Sequence, residues 1–275
     1  VLSEKMKLNL SNKDNPGILK LTPQKIMELP QMGERDIMRS LQLLPGISAS
    51  NESSSGLYVR GGTPDQNLIL LDGFTIYHVD HLYGFYSTFN TNAIKDINLY
   101  KGGFEAKYGG RISSVCDING KDGNQKRVAG GGDLSLLSGN IYLEIPYKEK
   151  LTSIVAFRRS YQGFLYDQIF NKFNSSTQNE QRPRGPMSQS YETTVTSYFY
   201  DLNTKITYRP SEKDVYSLSF YNGADNLDNS NNPSMSMPGG MGGFRGFDAN
   251  LTDKTSFGNI GSSIKWSRKW NSKLY

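Results

Sequence analysis

The chain has 275 residues and a formal net charge of +5, with 21% charged and 36% hydrophobic residues, 28 glycines, 17 Tyr and 13 Phe. No run approaches the roughly 18 apolar residues of a membrane-spanning helix, which excludes a helical membrane protein but not a barrel of short, alternately apolar strands. The lone cysteine, Cys116, excludes an internal disulfide framework and reads as a small buried hydrophobe in an apolar strand run. The first 125 residues are charge-balanced, so the basic excess lies in the remainder. It is scattered rather than gathered in the aromatic-laced stripe of a nucleic-acid binder, and fits solvated faces or anionic lipid head groups.

Residues 1–21 form a leading segment with possible edge strands at Met6–Leu10 and Gly17–Leu21; the opening VLSEKMKLNL lacks the apolar core of a signal peptide, so a signal is expected to have been removed or to lie upstream. Thr22 and Pro23 are a helix-start signal, with Lys25–Leu29 as the body and Pro30 as the stop. Glu34–Leu43 predicts a second helix, because Ile37, Met38, Leu41 and Leu44 fall on one face. Leu44-Pro45-Gly46-Ile47 ends it, and Ser48–Ser55 is a polar loop. Four short apolar runs follow, Leu57–Val59, Leu68–Leu71, Ile94–Leu99 and Ser114–Ile118, punctuated by Gly61-Gly62, Gly73, Gly102-Gly103 and Gly109-Gly110. Gly120–Gln125 is a polar link.

From about Arg127 the pattern changes to runs of roughly ten residues that alternate apolar and polar, the signature of outer-membrane barrel strands. In Ser197–Arg209, Tyr198, Tyr200, Leu202, Ile206 and Tyr208 share one face, while Asp201, Asn203, Lys205 and Arg209 share the other with Phe199 as an exception. Similar alternation runs through Ile141–Ile145, Leu151–Ser160, Val215–Asn222 and Asn259–Trp266. A soluble sandwich also alternates, but here the apolar faces end in Tyr or Trp, and short connections (Arg209–Asp214, Trp270–Lys273) contrast with long ones (Tyr161–Ser197, Asn222–Thr255), as periplasmic and extracellular ends require. About six strands cannot close around a domain the size of the preceding one, since barrel diameter grows with strand number. The sequence is therefore expected to be one part of a larger barrel, with a leading segment at 1–21, a separate domain at 22–126 and barrel strands at 127–275.

In order along the chain, the helix followed by LPGI, then YVRGG, LILLDGFTIY and IKDINLYKGGFEAKYGGRISSVCDI, closely resembles the plug domain of TonB-dependent outer-membrane receptors. The resemblance implies a mainly β protein: an α+β plug at 22–126, after a pre-plug segment at 1–21, inside a transmembrane antiparallel β-barrel that is incomplete here. It implies a location in the outer membrane of a Gram-negative bacterium, import of a scarce nutrient, and coupling to TonB, although no TonB box is visible before residue 22. The alternative it leaves open is a non-transporting subunit of a larger outer-membrane complex, with a surface lipoprotein or other outer-membrane subunits as partners beside the membrane lipids.

By the same resemblance, Tyr77, His78, Asp80, His81, Tyr83, Phe85 and Tyr86 sit on an apical loop, where they either contact ligand or pack the loop against the wall. Arg60 with Gly61 and Gly62, and Arg111, are expected as plug–barrel contacts. Arg158-Arg159-Ser160-Tyr161 is expected on the extracellular surface or lining the vestibule. The residues themselves supply no catalytic set, and no enzyme activity, metal site or cofactor is expected. His78-x-Asp80-His81 lacks the further ligands of a zinc centre. Asp72 reads as a turn residue bonding its local backbone. The glycines match neither phosphate-binding pattern. Met235, Met237 and Met241 lie in a low-complexity loop.

Overall fold

The computed structural model describes residues 11–12, 15–30, 34–49, 55–81, 84, 86–135, 137–161, 190–193, 196–228, 231–234 and 252–271. The expected strand at Met6–Leu10, the methionine-bearing loop, Tyr83 and Phe85 lie outside them.

The N-terminal part is α+β. β1 (Ser11–Asn12) and β2 (Asn15–Leu21) lead into α1 (Pro23–Met27), with Pro23 in the first turn, where its missing N–H costs nothing. Thr22 has the extended backbone of a cap, but its side chain makes no capping bond. α2 (Ile37–Gln42) starts at the first residue of the apolar face, later than the Glu34 start expected from the sequence. Asp36 is its cap, accepting from the Arg39 N–H at 2.9 Å, which leaves Glu34 outside the helix and free to reach elsewhere. β3 (Ile47–Ser48) and β4 (Tyr58–Val59) pair across the loop that follows. β5 (Asn67–Leu71) and β6 (Phe74–Thr75) form a hairpin closed by Asp72-Gly73, both at positive φ (46° and 89°), the conformation that a two-residue hairpin turn demands. β7 (Asp80–His81) and β8 (Tyr86–Ser87) make a small separate ribbon. β9 (Ile94–Tyr100) and β10 (Ser114–Gly120) complete the main sheet, whose order is β1-β2-β9-β10-β5-β6, with β10 and β5 parallel.

The plug core gathers Leu21, Ile26, Ile37, Met38, Leu41, Leu57, Ile94, Ile97, Leu99, Cys116 and Ile118, all essentially buried. The apolar run of β5 and the buried Val115, Cys116 and Ile118 of β10 fit strands in the interior of the sheet. Burial also pushes the Cys116 thiol up to about 12, so it packs as a hydrophobe rather than acting as a nucleophile.

After Gly120 a link leads to β11 (Ala129–Leu134), the first strand of a second, wholly antiparallel sheet. β12 (Ser138–Tyr147), β13 (Leu151–Ser160), β15 (Thr196–Tyr208), β16 (Asp214–Asp228) and β18 (Lys254–Arg268) continue it in sequence order, with β11 and β18 as edges among the described residues. β14 (Ser190–Thr193) and β17 (Asn231–Ser234), from the two long connections, pair with each other as a separate ribbon. The long connections thus meet at one end of the sheet, opposite the short turns at 148–150 and 209–213.

This wall has an inverted face distribution. The side toward the plug buries Thr152, Arg158, Ser160, Asp201, Asn203, Thr207, Ser219 and Asp225. The opposite side exposes Ile141, Leu143, Ile145, Val155, Phe157, Ile206, Leu218, Phe220, Ile260 and Ile264, with Ile264 82% exposed. Each such side chain left in water forgoes about 1.5–3 kcal/mol of burial, so a contiguous band of them marks a face built for hydrocarbon. At the short-turn end the band finishes in aromatic rings: Tyr216 lies 6.4 Å from Tyr208 and stacks on Trp266 at 6.2 Å, whose indole N–H donates to Asp214 at 3.2 Å. Rings with one wet end suit a membrane interface. Among the described residues no helix is long and apolar enough to cross a membrane.

Candidate functional site at the plug–wall interface

The plug is fastened to the wall by two clusters of ionised side chains, four residues apart along β15 at Asp201 and Lys205, and by lesser contacts around them.

The upper cluster lies toward the long-connection end. The sequence puts Asp201 on the polar parity of β15 and Arg158 on that of β13, and the β13–β15 register sets them opposite each other. Asp201 Oδ2 accepts from Arg158 Nε at 2.7 Å and Nη2 at 2.5 Å; its Oδ1 accepts from His81 Nε2 at 2.8 Å and the Tyr221 hydroxyl at 2.6 Å. Four donors fill the lone-pair capacity of one carboxylate. Arg158 spends its remaining donors on the plug, giving Nη2 to the Ser87 carbonyl at 2.6 Å and Nη1 to Glu34 at 3.1 Å, while Glu34 also accepts from Ser138 at 2.5 Å. The other nitrogen of His81, Nδ1, is 2.5 Å from Asp225 on β16.

A neutral imidazole has one N–H, so a ring whose two nitrogens both face carboxylates donates at both only as the imidazolium. Burial opposes that charge, but the Asp201 charge and the hydrogen bonds from Asp201 and Asp225 outweigh it and raise His81 to about 9. The His81 ring stacks on Phe199 at 4.2 Å, and the Arg158 guanidinium lies 5.1 Å from the same ring centroid. Phe199, the exception on the polar face of its strand, thus forms the apolar floor of the cluster. The Tyr221 oxygen also lies 3.2 Å from the Thr88 carbonyl, so its single proton is shared between Asp201 and Thr88, and the residue belongs to the plug core. Behind the ribbon, Asp36 accepts from the Ser87 N–H at 2.5 Å while capping α2, so helix, ribbon and wall form one chain of contacts.

The lower cluster centres on Asp72, the hairpin-turn residue. Its Oδ1 accepts from Lys205 Nζ at 2.9 Å and from the Gly120 N–H at 3.2 Å, its Oδ2 from Ser219 at 2.9 Å, and its carbonyl from Ser263 at 2.8 Å. The positive φ of Asp72 points it outward from the sheet end, so it bonds the wall as well as the plug backbone, beyond the local role its turn signature suggests. Lys205 also reaches the Gly120 carbonyl at 2.9 Å and Asp122 at 3.2 Å, and Arg209 pairs with Asp122 at 3.5 Å. Burial raises the Asp122 carboxyl, but Lys205 and Lys95 outweigh it and hold it below its ordinary value.

Amide pairs and close approaches finish the seam. Asn90 and Asn140 exchange two hydrogen bonds at 3.0 and 2.8 Å, and the His78 main chain exchanges two with the Asn259 amide at 3.1 and 2.6 Å. Gly261 lets the Phe74 ring lie directly on β18, where any Cβ would collide with it. Gly223 leaves the space that Tyr221 and Asp201 occupy.

The apical residues divide. Tyr77 is 81% exposed; His78 is partly exposed and packs edge-on against Phe257 at 4.4 Å; Asp80 is half-buried beside it; His81 and Tyr86 are buried. Gly61 and Gly62 sit with exposed Arg60 at a plug turn, where the Gly62 Cα approaches Ser113; Arg60 points to Gly102, and Arg111 donates to the Gly110 carbonyl at 2.8 Å. Arg111 also joins Tyr77 in a cleft of about 170 Å³ lined by plug residues alone. Arg158, expected at the surface or vestibule, is 1% exposed and is the central cation of the interface. Asp201, Asp225, Glu34 and Lys205 were not singled out from the sequence. The available signal was charge on the polar parity of otherwise greasy strands.

The family model of the TonB-dependent Receptor Plug Domain matches residues 14–115. Solved structures of similar fold include a doubly substituted ferric enterobactin receptor PfeA from Pseudomonas aeruginosa (TM-score 0.56, 16% identity, 93% of this chain and 39% of that one). The siderophore receptor PirA from Acinetobacter baumannii is similar (0.52, 16% identity, 96% and 45%), as is the copper transporter OprC (0.50, 11% identity, 82% and 34%). No curated protein sequence matches the chain. It spans less than half the length of these three structures. Residues 14–115 thus match the plug domain of TonB-dependent receptors, and the strands that follow form a polar-inside, apolar-outside wall fastened to it, the fold of a plug with part of its barrel.

Proposed function

We propose that the protein imports a scarce nutrient across the outer membrane of a Gram-negative bacterium, with the plug as its gate and TonB as the source of force. The short-turn end then faces the periplasm and the long connections face outside, where Tyr77, His78 and Asp80, with Tyr83 and Phe85, are the groups offered to ligand. His81 and Tyr86 act instead in seating the apical ribbon. Arg60, Gly61, Gly62 and Arg111 are proposed to meet wall beyond the strands described.

One observation carries this reading: the plug is held to a lipid-type wall mainly by directional polar contacts, with Tyr221 the one wall residue among those described that enters its buried apolar cluster. Such contacts can be exchanged for water one group at a time, so the plug yields while the wall keeps its strand ladders. A purely structural subunit would have no need of a fastening that water can replace.

The test is growth on limiting ferric chelates, cobalamin, glycans or peptides as sole source, comparing the parent, a strain deleted for the gene, and a TonB-deficient strain. Loss of one nutrient in both mutants is the expected result. Introducing Asn90→Cys with Asn140→Cys, at the amide pair across the seam, should lock plug to wall on oxidation and abolish the same growth, with recovery on reduction. Equal growth of parent and deletion strain on every nutrient would overturn the proposal.

A further inference from the structure

We propose that withdrawal of the β7–β8 ribbon from the wall is a proton-releasing step, in which His81 is an imidazolium while the plug is seated and gives one proton to water on leaving. The inference rests on the reading that the plug moves, and adds a proton to that movement.

The geometry comes first. His81 sits in a closed shell: Asp201 on β15, Asp225 and the Tyr221 hydroxyl on β16, and Arg158 on β13 from the wall side; Asp80 and Tyr86 from its own ribbon, His78 just before it, and Glu34 and Asp36 from the segment entering α2. Of these, the two groups in contact with its ring nitrogens are both carboxylates. If His81 were neutral, one ring nitrogen would turn a lone pair toward an anion, whichever tautomer it took. A cation at His81 removes that fault. Arg158 meets Asp201 from the far side, so the two cations approach one carboxylate from opposite directions.

Once the ribbon leaves, His81 enters water and returns to an ordinary value of about 6.5. Seated, it lies near 9. The sign follows from linkage. The seated state binds one proton more than the unseated state between these values, so its advantage is complete below about pH 6.5 and is lost as pH rises through about 9. The atoms balance simply: one N–H bond of the ring breaks, the proton passes to water, and the two carboxylates remain ionised beside Arg158. An acidic medium therefore tightens the plug and an alkaline one loosens it, by a total on the order of 10²-fold in the seating equilibrium.

The experiment measures seating rather than uptake. The intact protein in detergent carries a donor–acceptor dye pair on plug and wall, and the unseating constant in sub-denaturing urea is followed from pH 5.5 to 10. We expect a flat region to about pH 6.5, a rise of about tenfold per pH unit, and a plateau above about pH 9. His81→Gln should be weaker throughout and lack the rising segment. Asp225→Asn, which keeps the histidine, should move the upper bend to lower pH, an outcome that lost packing alone does not produce. A parent profile without the rise, or a His81→Gln profile that retains it, overturns the proposal. Neither result touches the growth test, and failure of that test leaves this profile standing.

Discussion

The upper and lower clusters perform the same task, holding plug to wall through carboxylates and cations, yet they do so in different surroundings. In the upper one Arg158, Asp201, His81 and Asp225 are withdrawn from water altogether. In the lower one Asp122 keeps about a quarter of its side-chain surface (27%) and Lys205 keeps 11%. A buried ion pair gains little over an apolar replacement but is costly to break, because the surviving partner is stranded. A wetted pair is weaker and breaks cheaply. The comparison teaches that the upper cluster sets whether the plug is seated at all, while the lower one trims how firmly.

The predictions follow that order. Asp201→Asn leaves Arg158 and His81 buried with a neutral neighbour and should cost about 3–5 kcal/mol of plug seating, read as accelerated amide exchange across β7 and β8 while the wall strands stay protected. His81→Gln keeps one donor but loses the charge, and should cost about 1–3 kcal/mol in the same measurement. Lys205→Met leaves Asp72 with the Gly120 N–H and Ser219, so a loss of about 1–2 kcal/mol is expected, visible as faster exchange at β5 and β6 but not at β7. Asp122→Asn, with solvent already present, should change seating by under about 1 kcal/mol. An effect at Asp122 equal to that at Asp201 would erase the distinction between the clusters.

Acidity separates them as well. Asp122 is held below its ordinary value, so its contribution is present above that value, about 3.9, and disappears as pH falls through its lower seated value. His81 is raised, and its contribution disappears at the alkaline end. Exchange measured strand by strand should therefore show the lower contacts yielding in acid and the upper ones in base.

Much of the architecture was legible before any coordinates. Period-two alternation from Ile141 to Trp266 forecast strands with one greasy face, and the tyrosines and tryptophans at their ends forecast a wet boundary. Leu71-Asp72-Gly73-Phe74 announced a turn, and the structure makes it a hairpin with both central residues at positive φ. The start of α2 was misread, since Glu34 and Asp36 both resemble first-turn acids and only the actual bonds separate the cap from the residue that reaches the wall.

The candidate site was less legible. From the sequence His81 either contacts ligand or packs its loop on the wall, Arg158 lies on the surface or lines the vestibule, and Asp201 is a polar-face residue, while Asp225 falls in the long connection expected from Asn222, because β16 runs on to Asp228. Sequence fixes which parity each side chain occupies, because successive residues on a strand point to opposite sides. It is silent on which distant segment arrives against that face, since four charges separated by up to 144 positions meet only through strand register and the seating of one sheet inside another. Local chemistry thus determined the strands, the turns and the lipid-facing band, while the tertiary fold alone decided that a histidine 1% exposed would bridge two aspartates.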